Sequence, residues 1–317
     1  MNKENRKIKI GVVGIGHLGN YHLQKYARIE DCAIAAVADT QVERAQKAGT
    51  LYSCDFFSDH RKLIGRVDAV SIAVPTGDHY RVARDFLAAG IDVLVEKPIC
   101  AKPEEADELI SLAKKNRLVL QVGFVERFNP AIMALEKVIA SPMFIESHRL
   151  HPFFERGTDV DVILDLMIHD LDIVLKFVNS PLTSVEAVGI PVLSDKIDIS
   201  NVRLSFASGC VANITASRIS AKTMQKVRFF GPEGYHSVDC QKREILSLGK
   251  RKTESGKLEI FQNNVEISNH DPLEEEIRSF VDAAIYRTKP VVSGEDARKS
   301  LLLAIDIIRK MKTAEVI

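Results

Sequence analysis

The sequence predicts an α/β chain in two domains. A doubly wound parallel sheet covers residues 1–123, and an α+β domain with a large open mixed or antiparallel sheet covers 124–317. Three observations carry this. Ile8 to Gly19, IKIGVVGIGHLG, is a short β-branched run that passes directly into Gly14-x-Gly16-x-x-Gly19. Apolar strand-like runs then alternate with helical segments as far as about residue 123, the pattern of parallel strands joined by crossover helices. Beyond Pro181 the strand-like runs follow one another with only turns between them, which makes antiparallel neighbours.

Ile8 to Val13 reads as a buried strand with no helical period. Gly14 then permits a tight turn, Gly16 lets the backbone approach a pyrophosphate, and Gly19 lets the next helix lie close to the strand. That helix offers its free N–H groups to an anion, with His17 and Leu18 in its first turn. Cys32 to Ala38 is a second strand and ends at Asp39, where a carboxylate would hold the ribose diol of a dinucleotide. Asp39 repels a 2′-phosphate and Thr40-Gln41 bring no arginine to reverse that, so NAD is expected over NADP.

Gln41 to Thr50 is helical in composition, Asp55-Phe56-Phe57 a short strand, and Asp59 to Ile64 a turn or two of helix. Asp68 to Val74 is a buried strand broken by Pro75-Thr76-Gly77; Asp78 caps the next helix and Gly90 ends it. Ile91 to Val95 is a strand ending at Glu96-Lys97-Pro98. Pro103 opens a helix to Lys115, and Leu118 to Val122 completes the first domain. In the second domain Pro130 to Ile139 is a helix, Met143 to Leu150 a strand, His151 to Asp161 irregular, and Val162 to Val178 a long amphipathic helix. Ser184–Ile190, Ile197–Phe206, Cys210–Ser217 and Thr223–Phe230 are strands, with shorter ones to Ile267. The closing amphipathic helix, within 296–312, is placed near the first domain.

Lysine plus arginine and aspartate plus glutamate number 43 each, and this balance argues against a nucleic-acid or general polyanion binder. MNKENRKIKI has no apolar segment before the first strand, so it does not read as a secretory signal. No window reaches the ~18 uninterrupted apolar residues of a membrane span. The five cysteines are scattered without C-x-x-C spacing, so neither a metal site nor a disulfide framework is expected. The expected setting is cytoplasmic.

Ligands of a doubly wound sheet sit outside the carboxyl ends of its strands. Pro75-Thr76, with His79 nearby, and Glu96-Lys97-Pro98 meet that rule, as does the stretch from Gly123 to Asn129. Lys97 follows an apolar strand and precedes a proline that forces an extended backbone, so it would enter the cleft. On the Val162–Val178 helix, Asp165, His169 and Asp172 recur at i, i+4 and i+7 and interrupt an otherwise apolar segment. Carboxylates and an imidazole cost free energy there unless paired, which marks the wall of a polar cleft. Histidine suits proton transfer near neutral pH.

Gly14-x-Gly16-x-x-Gly19, Glu96-Lys97-Pro98 and Asp165-x-x-x-His169-x-x-Asp172, in this order, resemble the Gfo/Idh/MocA oxidoreductase family over nearly the whole chain. The resemblance implies a Rossmann domain, an open-sheet domain that forms homodimers or homotetramers, and NAD-dependent oxidation of a sugar hydroxyl. It implies that Lys97 orients the reacting hydroxyl, that His169 is the general acid/base and that Asp165 positions substrate or imidazole. Met167 stands where many relatives have glycine. Gly123 to Pro130, Ser147 to Leu150 and Arg156 to Asp161 look most like the nucleotide-sugar branch. That branch oxidises C3 of a UDP-N-acetylhexosamine such as UDP-N-acetylglucosamine before a transamination, in a lipid A variant pathway. Arg127, Asn129, Arg149 and Arg156 would then meet the substrate, the arginines its diphosphate. The rival expectations are a dehydrogenase of a free cyclitol or sugar and a non-catalytic NAD-binding regulatory protein.

Overall fold

A computed structural model describes residues 7–153, 160–232 and 234–313. The chain divides into two compact units, one formed by residues up to Val125 with Asp271–Arg298, the other by Glu126–His270 with Lys299 onward.

The first unit alternates strand and helix: β1 (Ile8–Val13), α1 (His17–Tyr26), β2 (Cys32–Ala38), α2 (Val42–Tyr52), β3 (Asp55–Phe57), β4 (Ala69–Ile72), α3 (Thr76–Ala88), β5 (Asp92–Glu96), α4 (Pro103–Asn116) and β6 (Leu120–Gly123). The six strands lie in the order β3-β2-β1-β4-β5-β6, all parallel. Strand order therefore reverses between β1 and β4, where a doubly wound sheet opens its crevice. The strands are continuous apolar runs because both faces are covered: Ile10, Val12, Val70, Ile72, Val93 and Val95 are fully buried. One detail differs from expectation. The third long strand stops at Ile72 and α3 starts at Thr76, with Pro75 as its N-cap. Asp78 therefore lies in the first turn, where it complements the helix dipole.

The second unit contains α5 (Pro130–Leu135), β7 (Phe144–Leu150), a π turn over Ile163–Met167 that runs into α6 (Ile168–Phe177), and then β8 (Leu182–Ile190), β9 (Ile199–Phe206), β10 (Val211–Ser217), β11 (Met224–Gly231), β12 (Gly234–Asp239), β13 (Glu244–Lys252) and β14 (Leu258–Asn263). After these come α7 (Pro272–Tyr286), α8 (Gly294–Lys310) and β15 (Lys312–Thr313). The nine strands are ordered β14-β13-β12-β11-β7-β10-β9-β8-β15. Neighbours are antiparallel except β7 with β10 and β8 with β15. Strict alternation along β9 buries Val202, Leu204 and Phe206 in one core with Ile163, Leu171 and Val174. The other side of the unit leaves Met224, Leu246, Leu258 and Ile260 exposed.

The segment that rejoins the first unit is Asp271–Arg298. The terminal helix begins within that segment, where Arg298 pairs with Asp107, and its later turns bury Leu303, Ala304 and Ile307 in the second core. Helix α7 went unread in the sequence although its signals are present. Asp271 accepts from Glu274 N–H at 2.9 Å, and Pro272 occupies the first turn. Its Ile277, Phe280 and Val281 share a core with Leu23 and Tyr26 of α1.

Candidate active site

The glycine corner between β1 and α1 is set by backbone sterics. Gly14 has φ +88°, and a Cβ there would stand 2.6 Å from the Ala73 carbonyl oxygen. Its N–H donates to Ala38 O at 2.8 Å. A Cβ on Gly19 would overlap the Gly14 carbonyl oxygen, whereas one on Gly16 would meet nothing within 4 Å. The space beside Gly16 faces a helix start that no side chain caps, with His17 and Leu18 exposed in its first turn. An open approach to uncapped N–H groups fits a pyrophosphate. Asp39 locks the corner: it accepts from Ile15 N–H at 2.7 Å through one oxygen and from Gln41 N–H at 2.8 Å through the other. A carboxylate has about four acceptor sites, so capacity remains for a ribose diol.

At the carboxyl ends of β4 and β5, the loops bearing Pro75-Thr76 and Lys97-Pro98 are tied together by His79. Its Nδ1 meets Pro98 O at 2.7 Å and its Nε2 meets Val74 O at 2.9 Å. The ring is 1% exposed and staples these two loops. Pro75 is exposed, and Thr76, Glu96 and Lys97 are half-buried. The Lys97–Pro98 peptide is cis. Behind Lys97, Glu96 accepts from His22 Nε2 at 3.0 Å, and His22 Nδ1 meets Ser71 Oγ at 2.6 Å. Burial works against the Glu96 carboxylate, but His22 and Lys97 outweigh it and hold its pKa below the ordinary value.

In the second unit the long helix expected over Val162–Val178 is not uniformly α. Asp165 lies in the π turn and His169 in the α-helix after it, so the i, i+4 stacking read from the sequence spans a change of helical pitch. π turns inside helices recur at functional sites. Asp165 and His169 are half-buried. The acids on either side of this face anchor the helix. Asp170 accepts from Arg149 Nε and from Ser147 Oγ, each at 2.7 Å. Asp172 accepts from Arg127 at 3.3 Å and from Ser300 at 3.2 Å. Arg149 also donates to Glu126 at 2.9 Å. Burial opposes the Arg149 charge, yet Asp170 and Glu126 outweigh it and push its pKa up.

These bonds involve three residues expected at the substrate. Arg127 and Arg149 are 5% and 4% exposed, and each pairs with a buried carboxylate, Asp172 and Asp170 respectively. Asn129 caps α5 by accepting from Ala131 N–H, and its amide donates to Glu126 and to Cys240 O. These bonds give all three an architectural role. Arg156 lies outside the described residues. Asp170 and Glu126 escaped the sequence reading because their shared partner, Arg149, is 21 and 23 residues away.

A parallel sheet in this order, with a glycine corner open to an anion and an acid closing the second strand, defines an NAD(P)-binding Rossmann unit, here joined to a unit that carries a half-buried histidine on a distorted helix. Residues 8–124 match the oxidoreductase family described by an NAD-binding Rossmann fold, and residues 141–237 match the GFO/IDH/MocA C-terminal domain. The chain belongs to the Gfo/Idh/MocA oxidoreductase family. It is 36% identical over 302 residues to UDP-N-acetylglucosamine 3-dehydrogenase of Acidithiobacillus ferrooxidans, covering 95% of this chain and 96% of that protein. The solved structure of that enzyme superposes with a TM-score of 0.88 over 96% of this chain and 98% of the other. Myo-inositol 2-dehydrogenase of Thermotoga maritima is 25% identical over 98% of this chain and 100% of its own. Scyllo-inositol dehydrogenase of Lactobacillus casei, solved with NAD(H), shares the fold at 21% identity and a TM-score of 0.80, over 96% of this chain and 97% of its own.

Proposed function

We propose that this oxidoreductase uses NAD to oxidise the C3 hydroxyl of a UDP-N-acetylhexosamine, with UDP-N-acetylglucosamine as the first candidate. The observation that carries the proposal is the reach of the similarity. The 36% identity to a UDP-N-acetylglucosamine 3-dehydrogenase spans 95% of the chain, and so includes the unit outside the Rossmann sheet. Similarity confined to the Rossmann unit would speak for a cofactor alone. Relatives acting on inositol also span the chain, at 25–26% identity.

Gly14, Gly16, Gly19 and Asp39 hold the dinucleotide, with Pro75, Thr76 and Lys97 at its nicotinamide end. The Asp39 carboxylate favours a free ribose diol and disfavours a 2′-phosphate, which supports NAD over NADP. When bound, the nicotinamide supplies the hydride acceptor. His169 takes the hydroxyl proton as general base, Lys97 donates to the reacting oxygen and Asp165 positions the substrate. Recognition of a diphosphate falls to Arg156 rather than to the internally paired Arg127 and Arg149. Homodimers or homotetramers form through the nine-stranded sheet, a reading supported by exposed Met224, Leu246, Leu258 and Ile260. Five unpaired cysteines suit a cytoplasmic setting. Among the described residues, no helix is long and apolar enough to cross a membrane.

The test is turnover. Purified protein is incubated with NAD or NADP and a panel of UDP-sugars, myo-inositol and free N-acetylglucosamine, and reduced nicotinamide is followed by absorbance. Reduction with UDP-N-acetylglucosamine and NAD is expected. Reduction with myo-inositol alone would move the enzyme to the cyclitol branch, and silence across the panel would point to a regulatory NAD-binding protein.

A further inference from the structure

Behind Lys97 the first unit encloses a polar cluster that binding a cofactor does not explain. His22, Glu96 and Glu276 each bring one ligand-type atom within 4.8 Å of the others. His22 and Glu276 are fully buried. The bonds of His22 and Glu96 are accounted for: His22 Nε2 lies 3.0 Å from Glu96, and its Nδ1 meets Ser71 Oγ at 2.6 Å. Glu276 differs. Neither of its carboxylate oxygens has a hydrogen-bond partner. Its neighbour Gln121 donates instead to the Glu276 backbone carbonyl at 2.9 Å, which leaves the Gln121 amide oxygen unpartnered as well.

An ionised carboxylate sealed in this place, beside a second carboxylate and with no donor, would cost several kcal/mol. Two remedies exist, a cation or a proton. A divalent cation would have to take His22 Nε2 from the 3.0 Å bond it already makes to Glu96. A proton displaces nothing and supplies the donor that Glu276 lacks.

We propose that Glu276 is held as a neutral acid and shares its proton with Glu96, directly or through one buried water, so that the two carboxyls carry a single negative charge beside the Lys97 ammonium. Glu276 is then a positioning residue. It keeps Glu96 an acceptor fixed from two sides, by His22 and by the Glu276 proton, and Glu96 is the residue that precedes Lys97. Like charges in one site cannot both ionise, which is how paired carboxylates come to share a proton. The direction of titration agrees: burial, and then the charge of Glu96, raise the Glu276 pKa well above its ordinary value. The inference holds whichever alcohol the enzyme oxidises.

The experiment compares wild type with Glu276→Gln and Glu276→Ala in the full-length protein at pH 8. Infrared difference spectra are taken alongside thermal melting, NADH binding by fluorescence and metal analysis of the purified protein. The wild type is expected to show the carbonyl stretch of a protonated carboxyl, absent from both variants. Glu276→Gln, which keeps a donor and no charge, is expected to melt and to bind NADH as the wild type does, while Glu276→Ala melts several degrees lower. Absence of the protonated band in the wild type would overturn the proposal. So would a Gln variant that falls with the Ala variant, or a stoichiometric metal present in the wild type and lost in Gln. Because none of these readouts uses a sugar, their failure is distinguishable from failure of the substrate assignment.

Discussion

In the first unit the ligand corner is made of backbone. Gly14 turns with a positive φ, Gly19 yields its side-chain space to a carbonyl, and Asp39 clamps two main-chain N–H groups within a stretch of 27 residues, Ile15 to Gln41. In the second unit the proposed acid/base helix is made of side chains. Asp170 and Asp172 fasten it through buried pairs to Arg149 and Arg127, which come from other elements. The first arrangement tolerates little change in residue size and the second tolerates little change in charge. Cofactor binding and proton handling should therefore fail separately.

The largest effect sharpens that separation at the chemistry. His169→Ala and Lys97→Ala are each expected to lower kcat by roughly 10²–10⁴-fold while NADH still binds, measured by steady-state rates beside fluorescence titration. Near-normal turnover in either would remove that residue from its proposed role. Next comes Arg149→Met, which strands Asp170 and Glu126 without their cation. Breaking a buried pair on one side costs about 3–5 kcal/mol, read as a lower denaturation midpoint. The double variant Arg149→Met/Asp170→Leu should recover part of it. Were Arg149 a diphosphate ligand instead, the substitution would raise KM for the nucleotide sugar and leave the midpoint in place.

A smaller effect belongs to the first unit. Asp39→Asn removes a charge from hydrogen bonds to Ile15 and, by proposal, to ribose. A hydrogen bond to a charged group contributes about 1.5–3 kcal/mol, so KM for NAD should rise roughly 10–100-fold, with NADP losing less. Equal losses for both cofactors would mean that Asp39 serves only the glycine corner.

How far each region could be read from the sequence follows the same division. The glycine corner is a local pattern, since strand, turn, helix, strand and acid follow in order and each residue's task is set by its neighbours. The strands of the second sheet were legible for the same reason, because alternation is a two-residue rule. The α6 face was legible only as a list of polar residues on an apolar helix. Asp165, His169 and Asp172 stood out, but the π turn that alters their stacking has no sequence mark. Asp170 gained a meaning only when β7 brought Arg149 to it. Arginine near an expected substrate reads as a phosphate ligand, and only the fold shows the buried acids that pair with it. Helix α7 was missed although Asp271-Pro272 announces it, because a run of strands set the expectation.

The smallest prediction tests whether His79 staples its loops as a neutral ring. Carbonyl oxygens stand at both ring nitrogens, and two acceptors favour the doubly protonated form. Burial disfavours it, and burial wins, so the His79 pKa lies below its ordinary value. Above about pH 6.5, the usual histidine pKa, the folded and unfolded chains both hold this ring neutral and stability is unaffected by it. As pH falls through that value the unfolded chain takes up the proton first, so stability declines until the lower folded pKa is passed. The melting temperature of the wild type should therefore drop more steeply below pH 6.5 than that of His79→Gln, which retains one donor and one acceptor but cannot titrate. A wild type that instead gains on the variant as the solution is acidified would show that the two carbonyls hold an imidazolium between the ligand loops.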